Sequence, residues 1–207
     1  MKPPVLCLVS DGPKVGGRTL VRLITDAASA GVDLVQIRER GLDDRALLSL
    51  TREAMTAVRG SGTRVLVNDR LDVALAAGAA GVHLRGDSIP PSRARALAGA
   101  GFIIGRSVHD EDEAAAIEAE GGCDYLLFGT VFPTSSKPPG HHAAGLPALR
   151  SVCARVRIPV LAIGGISVER AARVAAAGAA GVAAISLFYE SEDLRATVRA
   201  VRQAFDT

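Results

Sequence analysis

The seven residues AAGAAGV occur twice in the chain, at 76–82 and at 176–182. Each copy closes a segment of helical periodicity and opens a run of β-branched residues. Looser versions stand at 29–35 (SAGVDLV), 98–104 (AGAGFII) and 120–127 (EGGCDYLL). A glycine in that place lets a helix end in the left-handed region and turns the chain straight into a strand. The punctuation therefore repeats one unit, helix then turn then strand, and any fold open to such a chain alternates the two.

Between these marks, strands are predicted at 5–10, 34–39, 64–69, 81–84, 102–108, 125–130, 159–165 and 181–186. Their apolar runs are short and nearly continuous, as parallel strands covered on both faces require. Leu47, Leu48, Thr51, Ala54, Met55 and Val58 form one helical face, and Leu194, Val198, Val201 and Phe205 another,. Asp110 with Glu113 reads as a capping box, and Ser167 or Ser191 as caps of the helices that follow them. Eight units at a spacing of roughly 25 residues match a closed (β/α)8 TIM barrel. An open doubly wound sheet also alternates strand and helix, but no GxGxxG follows the first strand here. The expectation is one barrel domain over residues 1–207, compact against the usual length of about 250.

Apolar residues make up 48% of the chain, enough for one substantial core, and the formal net charge is +2,. Charges of both signs are spread along the sequence, without the basic stripe that nucleic-acid binding needs. Cys7, Cys123 and Cys153 are odd in number and lack a CxxC pair, so free, mostly buried thiols are expected rather than a zinc site or disulfides. The opening MKPPVLCLVS has neither a signal peptide's layout nor the length of a membrane span, which points to a cytoplasmic protein with no membrane partner.

Barrel active sites lie where strands end, so the polar residues at those ends are the candidates. Strand two ends QIRER, with Gln36, Arg38 and Arg40 on one face by period two,. Arg38 is a charge in an apolar strand and must be paired or bind something; Glu39 and Asp69 are its candidate structural partners. Strand three ends in Asn68 and Asp69, an amide suited to a phosphate oxygen and a carboxylate suited to magnesium. Asp87 is a second candidate metal acid. His83 reads as a hydrogen-bonded core or rim residue, and strand five adds Arg106, Ser107 and His109. Gly164 and Gly165 after strand seven, with Ile185 and Ser186 after strand eight, resemble the phosphate cradle common in barrels.

The longest insertion follows strand six: TVFPTSSKPPGHH, from 130 to 142. Thr134, Ser135 and Ser136 can donate to phosphate, Lys137 adds a mobile cation, and the prolines stiffen what reads as an active-site loop over 131–144. His141 and His142 read as solvent-exposed. Taken together, the residues describe a barrel holding two phosphorylated ligands, one at Arg38, Arg40, Asn68 and Lys137 with a divalent ion, the other at the glycine cradle.

QIRER, VNDRLDVALAAGAAGVHL, IGRSVHDEDEA, FGTVFPTSSK, VLAIGGIS and GVAAIS, running in this order, resemble the thiamine phosphate synthases and their relatives, the thiazole tautomerases. The resemblance implies a (β/α)8 barrel, usually a homodimer. It also implies coupling of 4-amino-5-hydroxymethyl-2-methylpyrimidine diphosphate to 4-methyl-5-(2-phosphoethyl)thiazole with Mg2+ present. By it, Gln36, Arg38, Asn68, Ser107 and Lys137 match positions that bind the pyrimidine diphosphate, with Ile37, Glu39 and Arg40 completing the QIRER segment. Arg38, Lys137 and Ser107 are the expected catalytic groups, and Asp69 matches a magnesium ligand. Thr134, Ser135, Ser136, Gly165, Ile185 and Ser186 match the thiazole phosphate site. The chain departs from the pattern in three places. Arg40 replaces a lysine, and Ser88 stands where the family's LGQxD run has its acid, with Asp87 one residue early. Thr130 stands where the tautomerases carry their histidine. A tautomerase and a non-catalytic phosphate-binding barrel are the alternatives to the synthase.

Overall fold

The computed structural model describes residues 3–12, 19–136, 138, 140 and 142–206, and in it every predicted strand forms. The strands are β1 (Val5–Val9), β2 (Leu34–Ile37), β3 (Arg64–Asn68), β4 (Gly81–Leu84), β5 (Ile103–Val108), β6 (Tyr125–Gly129), β7 (Val160–Ile163) and β8 (Gly181–Ala184). All pair in parallel with their sequence neighbours, and β8 returns to β1 with Val5 opposite Gly181, closing the barrel. That closure removes the open-sheet alternative. The helices are α1 (Leu20–Ala30), α2 (Asp44–Ala57), α3 (Leu71–Ala77), α4 (Pro91–Ala98), α5 (Glu111–Glu120), α6 (Gly145–Arg155), α7 (Val168–Ala176), α8 (Ser186–Tyr189) and α9 (Leu194–Gln203).

Both glycines of the repeat have a geometric reason. Gly78 ends α3 at φ 72° and Gly178 follows α7 at φ 95°, left-handed conformations that cost other residues free energy,. Gly81 and Gly181 open β4 and β8 where a Cβ would lie 2.2 Å from the Ile103 carbonyl oxygen and 2.0 Å from that of Val5. The repeat thus encodes a helix stop and a close strand contact, three residues apart.

Alternation along the strands sorts the core into two bodies. Val5, Cys7, Val9, Leu34, Leu66, Tyr125, Leu127, Leu161 and Ala183 fill the barrel, while Val35, Ile37, Val67, Val82 and Ile104 face outward to the helices,. The predicted helical faces pack as expected, Leu47, Thr51 and Ala54 from α2 and Leu194, Val198 and Val201 from α9 being buried. The thiols are free, and burial raises all three, Cys7 and Cys123 to about 12 and Cys153 to about 11, which leaves them protonated and inert at neutral pH,. Among the described residues no helix is long and apolar enough to cross a membrane.

The structure corrects several local expectations. Six strands end one or two residues early, so Ser10, Arg38, Glu39, Asp69, Thr130, Gly164, Gly165, Ile185 and Ser186 leave the ladder and build the mouth. Asp110 accepts from the Glu113 amide at 2.8 Å as a cap should, but the Glu113 carboxylate accepts from the amide of His109 at 2.6 Å, not from that of Asp110. Asp193 caps α9 in place of Ser191, whose hydroxyl lies 2.9 Å from Thr197 Oγ1. Ser167 holds the cap position of α7 without a capping hydrogen bond. The short α8 begins at Ser186, inside the run predicted as strand.

One polar chain crosses the barrel interior. Tyr125, fully buried, lies over Gly105, where a Cβ would come within 2.1 Å of its ring. His83 stacks on Tyr125 with centroids 5.7 Å apart; its Nδ1 lies 3.0 Å from the tyrosine oxygen and its Nε2 2.9 Å from Ser107 Oγ. Burial, and then the nearby charge of Arg106, push the His83 pKa down to about 3, so the ring is neutral throughout the working range,.

Two measurements check this interior. Gly105→Ala forces the Tyr125 ring aside and is expected to lower unfolding free energy by about 2 kcal/mol or more, read by urea denaturation. His83 is protonated in the unfolded chain below its ordinary 6.5 but not in the folded one until about 3. Its burial therefore has no pH-dependent cost above pH 6.5 and an increasing one as pH falls from there toward 3. Between pH 7 and pH 5 it should account for about 2 kcal/mol of lost stability, and His83→Gln should remove that share of the slope.

Candidate active site

The inward positions one step above the apolar core carry the polar groups, because the same two-residue alternation that buries Leu34 and Leu66 also turns Gln36 and Asn68 inward,. They floor a cavity of about 520 Å³ at the C-terminal mouth, within the range of small-molecule sites,. Gln36, Arg38, Arg40, Asn68, Ser107, Thr134, Ser136, Gly165, Ile185 and Ser186 all line it. Ser135 lines an adjoining cavity of about 440 Å³, and Thr134, Gly165, Ile166 and Ser186 border both.

Two members of QIRER face elsewhere. Ile37 is fully buried against the helices, and Glu39 accepts from the Ser10 hydroxyl at 2.5 Å and the Gly12 amide at 3.2 Å. Period two places them there, opposite to Gln36 and Arg38. Arg38 pairs with Asp11 at 2.7 Å, in place of the expected Glu39 or Asp69. Asp11 stands two residues past β1, and its place after a strand end is the one sequence signal that marks it as a partner for Arg38. Lys137 and His141 lie outside the described residues. His142 is exposed, and His109 stands at the rim with Nδ1 3.2 Å from Glu113.

Gln36 is 2% exposed, and its Nε2 donates to Asn68 Oδ1 at 2.8 Å. Its Oε1 has no hydrogen-bond partner among the described residues, although a buried polar atom left so is costly,. The pair therefore leaves one acceptor, the buried Gln36 Oε1, unsatisfied at the cavity floor. A ligand amino group fits that acceptor.

The loop after β6 is tied at both ends. Val131 and Phe132 donate to the carbonyls of Ile163 and Gly164 at 2.9 and 3.0 Å, and Ala144 and Gly145 donate back to those of Thr130 and Val131 at 2.8 and 3.1 Å. Gly164 and Gly165 are glycines because this loop lies on them: Cβ atoms would sit 2.4 Å from Thr130 Cγ2 and 2.5 Å from the Pro133 oxygen. Arg170, unnoticed in the sequence, donates to the Gly165 carbonyl at 2.6 Å and stacks 4.8 Å over the Phe132 ring, clamping the two loops together,.

Beside the cavity, Asp69 is the one non-glycine residue with positive φ among those described, at 65°. Ser88 donates its hydroxyl to Asp69 Oδ1, and Arg85 reaches Asp69 Oδ2 at 3.5 Å and Asp87 at 2.5 Å. Asp87, 70% exposed, faces Arg85. The described residues contain no cluster of three or more His, Cys, Asp or Glu able to hold a metal. Asp69 and Ser88 are adjacent hard oxygen donors and fit a magnesium ion that takes its remaining ligands from water and substrate phosphate. Arg106, buried, holds this turn by donating to the carbonyls of Gly86, Ser88 and Ile89 at 2.6, 3.3 and 3.1 Å.

Known proteins share this arrangement of chain. The family model described as thiamine monophosphate synthase (TMP-TENI) matches residues 6–188. The thiamine-phosphate synthase of Methanoculleus marisnigri is 41% identical over 197 residues, 95% of this chain and 93% of that protein. That of Moorella thermoacetica is 40% identical over 188 residues, 91% of this chain and 89% of its own. The solved structure of a thiamine phosphate pyrophosphorylase from Pyrococcus furiosus superposes with a TM-score of 0.85 at 32% identity, covering 98% of this chain and 95% of that one. On the family match and these full-length likenesses, the chain belongs to the thiamine monophosphate synthase (TMP-TENI) family.

Proposed function

We propose that the protein is a thiamine phosphate synthase, a transferase that joins 4-amino-5-hydroxymethyl-2-methylpyrimidine diphosphate to 4-methyl-5-(2-phosphoethyl)thiazole and releases diphosphate. The observation that carries this reading is the unpartnered Oε1 of buried Gln36, at the floor of a cavity that Arg38, Arg40 and Arg85 also line. An aminopyrimidine bearing a diphosphate supplies both the donor that this oxygen lacks and the anion that Arg38 and Arg40 attract.

In this reading Gln36 accepts from the 4-amino group, and Arg38, Arg40 and Lys137 hold the diphosphate. Ser107 is oriented by His83: with Tyr125 donating to Nδ1, the ring proton lies on Nε2 and goes to Ser107 Oγ, leaving the serine's own hydrogen for the ligand,. The bond between the pyrimidine methylene carbon and the diphosphate oxygen breaks with its electron pair on oxygen. The arginines stabilise the charge that grows there. A magnesium ion at Asp69, with Ser88 beside it, would add charge stabilisation of the same leaving group. The thiazole nitrogen then donates its lone pair to the methylene cation, and no proton moves. Thr134, Ser135, Ser136, Gly165, Ile185 and Ser186 hold the thiazole phosphate, and residues 131–144 cover both ligands. Excluding water matters, because water would capture the same cation. Thr130, a buried hydroxyl, gives the tautomerase proton shift no group that titrates near neutrality,. The reading also takes the enzyme to be a cytoplasmic homodimer.

Incubating the protein with both substrates and magnesium should give thiamine phosphate and diphosphate in equal amounts by chromatography; no product from folded protein would defeat the reading. Gln36→Leu should raise KM for the pyrimidine diphosphate about 10- to 100-fold, by leaving its amino group unpaired, with KM for the thiazole phosphate little changed. Ser186→Ala should show the opposite split, with the larger change in the thiazole KM. Asp69→Ala should lower magnesium-dependent kcat about 100-fold or more.

A further inference from the structure

Asp69 is committed on both oxygens. Ser88 occupies Oδ1 and Arg85 stands 3.5 Å from Oδ2, while the second prong of the same guanidinium holds Asp87 at 2.5 Å. Arg85 also lines the large cavity, as do Arg38 and Arg40. Its backbone is fixed, since its amide donates to Ser88 Oγ at 2.9 Å and Arg106 grips the carbonyls of the turn. Its side chain is the adaptable part, 53% exposed, with one tight contact to an exposed carboxylate and one looser contact to Asp69.

Such a guanidinium has two effects. A cation beside Asp69 opposes a divalent cation at the same carboxylate, because like charges a few ångströms apart repel even at the intermediate effective dielectric near a protein surface. The fork of N–H donors that now meets carboxylates matches the oxygens of a diphosphate equally well. We propose that Arg85 is the resident counter-cation of the diphosphate end of the cavity, neutralising Asp69 in the free protein and exchanging that carboxylate for the diphosphate when it binds. Asp87 tethers the guanidinium during the exchange. Diphosphate binding then does not wait for metal, and it frees Asp69 for magnesium, so the two ligands promote each other's binding by the same factor. This inference rests on the synthase reading, which puts a diphosphate at this end.

The test is calorimetric titration of the intact protein with inorganic diphosphate in EDTA, together with Mn2+ binding followed by electron paramagnetic resonance without diphosphate. Arg85→Gln should weaken metal-free diphosphate binding about tenfold or more, and Arg85→Lys, which keeps the charge but loses the fork, by a smaller factor. Mn2+ binding to the free protein should tighten several-fold in Arg85→Gln and be lost in Asp69→Asn. Metal-free diphosphate affinity within twofold of wild type in folded Arg85→Gln overturns the role of Arg85 and leaves the synthase reading intact. Failure of the wild-type protein to bind diphosphate even with magnesium overturns both.

Discussion

Closure of eight parallel strands on themselves is the constraint from which the rest follows. A closed barrel has no free edge, so each strand residue points either into the barrel or out to the helices, and the choice alternates strictly along the chain,. At mid-height the inward set is apolar, with Leu34, Leu66, Leu127 and Leu161 around Tyr125. Two residues further along β2 and β3 the same inward direction carries Gln36 and Asn68 to the base of the open cavity. Core and site are successive layers of one pattern. The buried His83 and Tyr125 join them, since the hydrogen bonds that satisfy the tyrosine and imidazole end on Ser107 at the cavity floor.

The fold was legible because its signals are local. Helix stops at Gly78 and Gly178, the apolar runs and the count of units need no knowledge of distant contacts. Much of the site was legible for a related reason: period two alone puts Gln36, Arg38 and Arg40 on one face. The same rule, applied to the whole of QIRER, would have sent Ile37 and Glu39 away from the cavity, where the structure has them. Partnerships were the part that could not be read. Arg38 meets Asp11 across 27 residues, Arg106 reaches back to the turn after β4, and Arg170 clamps the loop after β6. Each depends on which loops lie next to one another around the mouth, and barrel closure sets that. The left-handed backbone of Asp69 has no local mark either; no glycine advertises it.

The loop after β6 and the glycines after β7 have to be understood as one object. Their backbones touch so closely that a single methyl group at 164 or 165 would collide with Thr130 or Pro133. The wall they form together separates the two cavities, with Thr134, Gly165 and Ser186 exposed to both. In a reaction that joins two phosphorylated molecules, a rigid shared wall sets the distance between nucleophile and electrophile. That is the contribution binding energy makes when the chemistry itself needs no proton transfer.

The electrostatics of the mouth follow from the same need. Strong cations facing a cavity require counter-charges before the ligand arrives, or they would repel one another and be costly to hold together. Asp11 serves Arg38, and Asp69 and Asp87 serve Arg85, all partly exposed, so these pairs are weak enough to part,. In the proposed exchange a multiply charged diphosphate takes the place of Asp11 and Asp69 at these forks, and the displaced carboxylates remain in contact with water. On that reading the site is neutral enough to fold and cationic enough to receive charge as it develops on the leaving group. In the proposed exchange the hydroxyl of Ser88 holds Asp69 in place after Arg85 turns to the diphosphate, which keeps one oxygen donor oriented for a metal ion,.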